Sequence, residues 1–483
     1  MTEKYLLAID QSTQGTKALL IDQRNQVFWK TILTHKQISN HPDWISHDLA
    51  EIKANLFLLF KKALQQIKPE QLLGLAITNQ RESAAAWSRK TGNPLCQTIV
   101  WQDNRASSVV KSIANLELQR EVKALTGLAL SPYFTGAKWN WMLINEPKVA
   151  QAAKNNDLCL GTMDSWLIYQ LTNGQSFKTE PSNACRTQLM NIHTGSWDKK
   201  LAQIFKIDLS YLPEIISSNG SFGETDLFGL LPFQIPILSV LGDSQAALFA
   251  HGCFLPGDYK ITFGTGSSIM LNIGNHLPQN IQNKLNTSIA WSLNGKTTYV
   301  LEGNINYAGA SISWLKDKLD LIKTPAETSN LALNADSEDH TILIPAFAGL
   351  GAPYWKNDIS AAFVGMKITT SKNELVRATL NSLVYQITDV LKEFKTLYPN
   401  VNHVIHVDGG MIHNKYLMQY LSDITQKKVK VATISELSAL GTAMNAMKHT
   451  KAADFNQVYI PKMKAELADS YLQEWHHWLS KLD

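Results

Sequence analysis

Three short turns rich in glycine and hydroxyl side chains could hold an anion. They are residues 12–16, 264–266 and 408–410, and each follows an apolar run that is typical of a strand. Small residues let backbone N–H groups approach a negative group closely, so the turns suit the phosphate tail of a nucleotide. Each turn taken alone is more often a plain tight turn, because glycine and serine are common turn residues. Two of the turns lie on similar hairpins, which favours the phosphate-binding role.

Two carboxylates, Asp10 and Asp243, could supply further chemistry. Asp10 ends an apolar run beside the first turn, where a Mg²⁺ ion that bridges phosphates could bind a carboxylate or its bound water. An Asx turn is the alternative role for Asp10. Asp243 begins the segment Asp-Ser-Gln-Ala-Ala-Leu-Phe. It could take a proton from a hydroxyl group or cap a helix, and on the residues alone capping is the more frequent role.

Arg81 and Glu82 are adjacent at the end of an apolar run. A guanidinium donates several hydrogen bonds and a carboxylate accepts them, so the pair could bind vicinal hydroxyls of a polyol. A surface ion pair is the alternative. Trp101 and Tyr133 offer aromatic faces for the C–H groups of a sugar, although most aromatic side chains belong to the core.

Several known catalytic motifs are absent from the sequence. It contains no GxxxxGK[ST], GxGxxG or HExxH motif and no protein-kinase HRD or DFG motif. P-loop, Rossmann, zincin and protein-kinase functions therefore lose support.

The elements that position these residues can be read from the apolar periodicity. Residues 5–9 and 17–21 predict a hairpin around the first turn, and 72–77 predicts a buried strand that ends at the polar cluster 78–82. Asp48, with Glu51 three residues later, predicts a capped amphipathic helix between the hairpin and that strand. Ligands bind at the carboxyl ends of strands in α/β sheets, which is where the polar cluster lies.

A second hairpin is predicted around Tyr259 to Ile273, about half a chain after the first one. Its resemblance to the first hairpin indicates a distant duplication into two α/β domains whose turns face a shared cleft. We place the boundary near residue 240, giving domains 1–240 and 241–483. A capping box at Ser371 to Glu374 predicts a long helix in the second domain.

Composition narrows the class of protein. The chain has 483 residues, 45% of them hydrophobic, and its 45 basic and 41 acidic side chains leave a net charge of +4. This balance excludes a disordered chain, and without a basic run it gives no sign of nucleic-acid binding. A carboxylate follows only five apolar residues at the N-terminus, no apolar run is long enough for a membrane span, and the four cysteines form no CxxC pair. We therefore expect a cytoplasmic protein with reduced thiols and no membrane contact.

Thirteen segments, in the same order along almost the whole chain, resemble the FGGY carbohydrate kinases, and the glycerol kinases among them most of all. The segments are DQSTQ (10–14), ITNQRES (77–83), IVWQD (99–103), PYFTGAK (132–138), SNACRT (182–187), NIHT (191–194), GDSQAALF (242–249), GTG (264–266), LEG (301–303), AGASI (308–312), GLGAPYW (349–355), RATL (377–380) and DGG (408–410).

The resemblance implies an α/β fold of two ribonuclease-H-like (actin-like ATPase) domains with ATP and Mg²⁺ in an interdomain active-site cleft. It makes Asp243 the catalytic base, a second carboxylate near the metal, and Asp10 the carboxylate that holds Mg²⁺ directly or through water. It places Arg81, Glu82 and Tyr133 on the polyol and Trp101 in the neighbouring pocket wall. The positions implied for ATP are Thr13, Gln14, Gly15, Lys17, Gly264 and Thr265 for the phosphates and Gly309, Ser313, Gly410 and Asn414 for the nucleoside.

Two departures from the glycerol-kinase pattern concern the substrate pocket. Ser244 stands where those kinases usually have Gln, and Ser268 where they usually have Phe, so both changes remove bulk and a larger polyol or ketose could fit. The first turn also resembles that of some xylulokinases, with Lys17 in place of Arg. We expect phosphorylation of a terminal hydroxyl of glycerol by ATP, with a ketopentose or tetritol kinase as the alternative. The rival class is a non-catalytic actin-like nucleotide-binding module, such as a sensor that binds a sugar without converting it. We also expect a homo-oligomer, a dimer or tetramer.

Overall fold

The computed structural model of the protein describes residues 3–356 and 358–482. The outermost residues of the two predicted domains lie outside this range, and the boundary near residue 240 stays a prediction. The described part contains two large mixed sheets. We call the part of the chain built on the first sheet the N-lobe and the part built on the second sheet the C-lobe.

The strands of the N-lobe alternate with helices along the chain. The strands are β1 (Tyr5–Gln11), β2 (Gly15–Asp22), β3 (Val27–Thr34), β4 (Ser46–His47), β5 (Leu72–Asn79), β6 (Ala85–Ser88), β7 (Thr98–Ile99), β8 (Leu158–Gly161), β9 (Lys178–Thr179), β10 (Met190–Asn191), β11 (Ser196–Trp197), β12 (Glu214–Ile215), β13 (Glu224–Thr225) and β14 (Ile235–Gly242). The helices are α1 (Leu49–Leu64), α2 (Ser107–Ile113), α3 (Leu116–Thr126), α4 (Thr135–Asn145), α5 (Pro147–Lys154), α6 (Met163–Leu171), α7 (Pro181–Ala184) and α8 (Lys199–Phe205), with 3₁₀ turns at Pro69–Gln71, Cys185–Thr187 and Leu209–Tyr211.

The six-stranded N-lobe sheet has the order β13-β14-β5-β1-β2-β3. β1 and β2 form the predicted hairpin, and β5 lies parallel to β1 as a buried strand, so both predictions are confirmed. Every residue of β1 is buried, as expected for a strand that is covered on both faces. Asp48 caps α1 by accepting from the N–H of Ala50. In a capping box, Glu51 would accept from the N–H of Asp48. Its carboxylate accepts from the N–H of Lys36 instead, so this part of the prediction was wrong.

Helix α9 (Asp243–Ala250) leads from the N-lobe sheet into the C-lobe. The strands of the C-lobe are β15 (Tyr259–Phe263), β16 (Ser267–Gly274), β17 (Asn286–Leu293), β18 (Lys296–Ile305), β19 (Ile342–Ile344), β20 (Ala362–Val364), β21 (Val404–Gly409), β22 (Lys428–Ala432) and β23 (Phe455–Tyr459). Its further helices are α10 (Gly309–Asp317), α11 (Glu327–Leu333), α12 (Lys372–Leu397), α13 (Lys415–Thr425), α14 (Leu437–Ala446) and α15 (Ala465–Ser480), with a 3₁₀ turn at Gly410–His413. The capping box predicted at Ser371 and Glu374 is present at the start of α12.

The C-lobe sheet, in the order β17-β18-β16-β15-β21-β22-β23, repeats the N-lobe pattern. In each sheet a hairpin, β1–β2 or β15–β16, pairs in parallel through its first strand with a later strand, β5 or β21. A third strand, β3 or β18, then pairs antiparallel with the second strand of the hairpin. This shared topology supports the predicted duplication.

Each sheet has its own apolar core, and a third apolar cluster lies between the sheets. This third cluster joins Ala8 and Ala76 of the N-lobe sheet to Met270 and Val300 of the C-lobe sheet through α9 and α14. The lobes are therefore packed against each other along their inner faces. Within the described residues no helix is long and apolar enough to cross a bilayer. The four cysteines are free thiols; Cys96 is half-buried and the other three are buried.

Candidate active site

The ends of three parallel strands bring the N-lobe candidates together. β1 and β14 flank β5, and the register pairs Gln11 with Asn79 and Gly242 with Asn79. The turn at residues 12–14, the cluster at 80–82 and Asp243 therefore leave the sheet at one edge. In the C-lobe sheet, Phe263 pairs with Gly409, which places the second and third turns side by side in the same way.

Asp10 is buried beside the first turn with one carboxylate oxygen unsatisfied. Its Oδ2 lies 3.6 Å from the Lys17 Nζ, while its Oδ1 is buried without a hydrogen-bond partner in the described structure. Burial raises the pKa of Asp10 to about 6, with Lys17 opposing the rise and Asp243 adding to it. The Ser12 N–H, which an Asx turn would direct to Asp10, donates to the Gly15 carbonyl instead, so that alternative is wrong.

The first turn itself is closed by Ser12 and open at its tip. Both the N–H and the hydroxyl of Ser12 donate to the Gly15 carbonyl at 2.9 Å. Gln14 is exposed and Thr13 is half-exposed. A Cβ at Gly15 would come within 2.7 Å of the Leu33 carbonyl oxygen, so the turn needs glycine at this position.

Arg81 and Glu82 are buried, so a surface ion pair is excluded. The side chains keep 6% and 3% of their exposure, with the Arg81 Nε 4.0 Å from the Glu82 Oε1. Glu82 has a φ of 61°, a strained conformation for a non-glycine residue that is often found at functional sites. Gly242 makes room for the arginine, because a Cβ there would lie 2.8 Å from the Arg81 Cδ.

Two further charged residues, Arg186 and Glu302, complete a buried network around this pair. Arg186 donates from Nε to Glu82 Oε1 at 2.5 Å and from Nη1 to Glu302 Oε2 at 2.6 Å. Arg81 donates from Nη2 to Glu302 Oε1 at 3.0 Å. Burial opposes ionisation of Glu302, but Arg186 and Arg81 together lower its pKa to about 2. Among these four side chains two cations match two anions. The network spans both lobes because Glu302 lies on β18.

Asp243 faces this network from the start of α9. Its Oδ1 lies 3.4 Å from the Arg81 Nε and accepts from the Ser244 N–H at 2.6 Å. Gly242 is the N-cap and Asp243 the first helical residue, so the predicted capping role was wrong. The side chain keeps 35% of its exposure. Desolvation in this setting, with Glu82 nearby, raises the pKa of Asp243 above that of an ordinary aspartate despite Arg81.

Trp101 and Tyr133 form an aromatic corner next to the Arg81–Glu82 pair. Their rings meet edge to face with centroids 5.7 Å apart. The Trp101 Nε1 donates to the hydroxyl of Thr13 at 2.9 Å, so the corner also contacts the first turn. Burial raises the pKa of Tyr133, which keeps its hydroxyl protonated as a hydrogen-bond donor.

The two serines of the predicted pocket lie in different surroundings. The Ser244 hydroxyl accepts from Arg81 Nη2 at 3.2 Å and thus belongs to the cluster. Ser268 lies on β16 between Thr262 and Asn304, and its hydroxyl has no hydrogen-bond partner among the described residues. The structure therefore connects Ser244, but not Ser268, to Arg81.

The second turn is packed directly against the start of α10. Its Gly264 N–H donates to the Gly266 carbonyl, and the N–H groups of Gly309 and Ala310 donate to the carbonyls of Gly264 and Thr265. A Cβ at Gly309 would come within 2.7 Å of the Gly264 carbonyl oxygen. Ser313 is exposed one turn further along α10. Thr265 is exposed at the tip of the turn, where a ligand can reach it.

The third turn needs glycine and leads to Asn414. Gly409 has a φ of 99°, and a Cβ there would come within 2.2 Å of the Phe263 carbonyl oxygen. Gly410 faces open space. Asn414 caps α13 by accepting from the Leu417 N–H and donates to the Thr328 hydroxyl at 2.9 Å, which joins it to α11.

The carboxylates fit Mg²⁺ that is shared with phosphates. In the described part of the chain, no group of three or more His, Cys, Asp or Glu side chains could enclose a metal ion alone. Mg²⁺ usually binds one or two carboxylates and completes its shell with water and substrate phosphates. Asp10, with its unsatisfied oxygen and raised pKa, provides such a carboxylate, and Asp243 is close enough to influence that pKa.

Sequence reasoning missed Arg186 and Glu302 as site residues. Both lie in segments with family resemblance, SNACRT and LEG, yet nothing in their spacing connects them to residues 81 and 82. A charged residue within a run of small or apolar residues was the signal that could have marked Arg186 as buried.

Comparisons with known proteins agree with this architecture. The profile of the N-terminal domain of the FGGY family of carbohydrate kinases matches residues 5–250, and that of the C-terminal domain matches residues 259–449. The chain belongs to the FGGY family of carbohydrate kinases.

Among curated relatives, glycerol kinase 1 of Thermotoga maritima is 42% identical over 490 aligned residues, 99% of each chain. Glycerol kinase of Halothermothrix orenii is 40% identical over 92% of this chain and 89% of its own length. The crystal structure of Plasmodium falciparum glycerol kinase with ADP has a TM-score of 0.91 at 32% identity, covering 99% of this chain and 98% of that one. Xylulose kinase of Lactobacillus acidophilus has a TM-score of 0.87 at 19% identity over 99% and 97% of the two chains, a likeness of fold.

Proposed function

We propose that the protein is an ATP-dependent glycerol kinase that transfers the γ-phosphoryl group of ATP to a terminal hydroxyl of glycerol. One observation carries the proposal: Asp243 lies 3.4 Å from Arg81, at the strand edge where the polar Arg81–Glu82 pair and the first turn meet. The relatives named glycerol kinase, similar over nearly the full length, support glycerol over the ketopentose and tetritol alternatives.

The chain's own residues supply binding, orientation and proton transfer. Arg81 donates to a hydroxyl oxygen of the polyol, and Glu82 accepts from a neighbouring hydroxyl. The aromatic corner of Trp101 and Tyr133 covers the carbon chain. Asp243 then accepts the proton of the terminal hydroxyl as its oxygen attacks the γ-phosphorus of ATP. ADP leaves on the opposite side of the phosphorus.

ATP lies, in this proposal, along the three turns. Backbone N–H groups of residues 13–15 and of Thr265 approach the phosphates, with Lys17 adding positive charge. The positions of Gly309, Ser313, Gly410 and Asn414 lie on the nucleoside side. Asp10 and Asp243 would hold Mg²⁺, which would neutralise charge on the phosphates when bound. Phosphoryl transfer depends mainly on alignment and on neutralising charge, which these groups can provide.

Cytoplasmic location and assembly into a dimer or tetramer remain predictions from the sequence. Light scattering after size-exclusion chromatography tests the assembly.

The direct test of the function is ADP release by purified protein with ATP, Mg²⁺ and a panel of acceptors. Glycerol should be the preferred acceptor over erythritol, ribitol, xylulose and ribulose. Turnover of a ketose without turnover of glycerol would replace the proposal with a ketopentose kinase. Binding of a polyol without any ADP release would point to a non-catalytic module.

A further inference from the structure

A single buried lysine contacts all three segments that carry the candidate polyol-binding side chains. Lys138 lies in α4 and is fully buried. Its Nζ donates to the backbone carbonyls of Tyr133 at 2.6 Å, Glu82 at 3.1 Å and Trp101 at 3.3 Å. These residues come from the β5–β6, β7–α2 and α3–α4 connections, which are separated by up to about fifty positions in the chain.

We propose that Lys138 is a positioning residue for the polyol site, because its ammonium group holds the backbones of Glu82, Trp101 and Tyr133 in one arrangement. The inference rests on the proposed function. It assigns no contact between Lys138 and the substrate. The lysine acts through the three residues whose side chains form the pocket.

The backbone of Glu82 shows why such a tie is needed. Its φ of 61° is strained for a residue with a side chain, and such a conformation persists only where surrounding contacts fix it. The bond from Lys138 to the Glu82 carbonyl is one such contact, and the Arg186 bond to the Glu82 carboxylate is a second. Without the ammonium group, only the Arg186 bond would hold Glu82, and we expect its backbone to relax and change the position of its carboxylate relative to Arg81.

A buried ammonium group with three carbonyl partners is sensitive to its own protonation. Burial lowers the pKa of Lys138 to about 7, with Glu82 and Asp103 opposing the decrease and Arg105 adding to it. The Tyr133 ring, 5.9 Å away, also faces the ammonium group. The protonated lysine has three N–H donors for three carbonyls, whereas the neutral amine has two donors and a lone pair. The tie is therefore complete below a pH of about 7 and weakens above it.

The test compares steady-state kinetics of Lys138→Met with those of Lys123→Met. Lys123 is a matched control, because it is half-buried and donates to the backbone carbonyl of Asn283, outside the polyol site. Lys138→Met should raise the KM for glycerol about tenfold while the KM for ATP changes less than about twofold, since hydrogen bonds to a charged donor are lost on the polyol side alone. Lys123→Met should leave the KM for glycerol unchanged.

The dependence of the KM for glycerol on pH gives a second readout. A lysine with a purely structural role would not change this dependence. In the wild type, the KM for glycerol should rise as the pH increases through about 7, and in Lys138→Met this rise should be absent. If Lys138→Met fails to fold, a wild-type KM for glycerol that does not change across this pH range still counts against the inference.

A folded Lys138→Met with an unchanged KM for glycerol would overturn the inference. So would equal increases in both KM values, or a wild-type KM for glycerol that is flat between pH 6 and pH 9. A wild type without glycerol-dependent ADP release would instead contradict the proposed function, and the same KM comparison would then use the acceptor that the screen identifies.

Discussion

The indole N–H of Trp101 donates a hydrogen bond of 2.9 Å to the hydroxyl of Thr13. Trp101 stands at the candidate polyol pocket and Thr13 in the first turn, where the phosphates of ATP are expected. In the proposed function, this bond joins the polyol pocket to the phosphate-binding turn, so we expect a change on one side to alter the geometry on the other. Alignment of the attacking hydroxyl with the phosphorus depends on such shared contacts.

This contact predicts that Trp101 and Thr13 act as a pair. Trp101→Phe keeps the aromatic face but loses the donor, and Thr13→Val keeps the volume but loses the acceptor. Each variant should lower kcat/KM for glycerol, and the double variant should lose less than the two effects combined, because the same bond is removed twice. Fully additive losses in this double-mutant cycle would show that the bond does not couple the two sites.

Asp243→Asn should remove catalysis while leaving ATP binding close to that of the wild type. Amide substitution keeps the shape but removes the proton acceptor, and loss of a general base costs roughly 10² to 10⁴ in rate. Single-turnover ADP formation and ATP titration by calorimetry check the two parts. Asp317→Asn is the matched control, since that carboxylate is exposed on α10, with 56% of the side chain accessible. An Asp243→Asn variant with substantial kcat would refute the assignment.

The charged carboxylate of Asp10 should reduce the free energy of unfolding of the protein at neutral pH in the absence of Mg²⁺. Its pKa in the folded protein is about 6, above the ordinary aspartate value of 3.8, so the folded state disfavours the charged form. Between these two values the folded protein binds more protons than the unfolded chain, and stability therefore increases as the pH falls through 6 toward 3.8.

Asp10→Asn should accordingly raise the free energy of unfolding at pH 8 by about 3 kcal/mol, and the gain should disappear near pH 4. Urea unfolding with a chelator at the two pH values measures both. A gain that is equal at both pH values, or a loss at pH 8, would mean that the Asp10 carboxylate is not disfavoured by burial. The Asp22→Asn variant in the same hairpin provides a comparison. Asp22 accepts hydrogen bonds from the Arg24 and Gln26 N–H groups, so this variant should be less stable than the wild type at pH 8.

Removing Arg186 should destabilise the protein more than removing its charge together with that of a partner. Arg186→Met leaves the buried Glu82 and Glu302 with Arg81 alone, and an uncompensated buried charge costs about 3–5 kcal/mol. Arg186→Met combined with Glu302→Gln restores the charge balance and should cost less than Arg186→Met alone. Midpoints of urea unfolding give the comparison.

An exposed ion pair provides the control for that experiment. Lys284 pairs with Glu393 and keeps 65% of its side-chain exposure, so Lys284→Met should change stability by less than about 1 kcal/mol. If the Arg186→Met/Glu302→Gln double variant were less stable than Arg186→Met, charge balance would not explain the network.

The secondary-structure elements around the site could be predicted from the sequence better than the side-chain contacts within it. Strand ends and turns are local features, so the two hairpins, the strand before Arg81 and the helix capped at Ser371 could all be predicted from short stretches of sequence. The role of Asp243 at its helix could not, because Gly242 and Asp243 both suit a helix start and the choice depends on how Arg81 packs against them.

The buried charges required the tertiary structure. Arg186 meets Glu302 across 116 positions, and Lys138 reaches back 56 positions to Glu82. The apolar periodicity of helices and strands does not indicate contacts between residues so far apart in the chain. The sequence marked Arg186, Glu302 and Lys138 only through family resemblance, without a role. Their partners are set by tertiary packing, which joins the two lobes for Arg186 and Glu302 and lies within the N-lobe for Lys138. The same holds for the Trp101–Thr13 bond, which joins two residues predicted for different substrates.

The most direct test of the central claim is ³¹P NMR of purified protein with ATP, Mg²⁺ and glycerol. The proposal predicts that the γ-phosphorus signal of ATP is replaced by the signal of glycerol 3-phosphate, with one ADP formed for each product molecule, and that Asp243→Asn slows this conversion by roughly 10² to 10⁴. Inorganic phosphate in place of glycerol 3-phosphate, or conversion by Asp243→Asn at close to the wild-type rate, would contradict it.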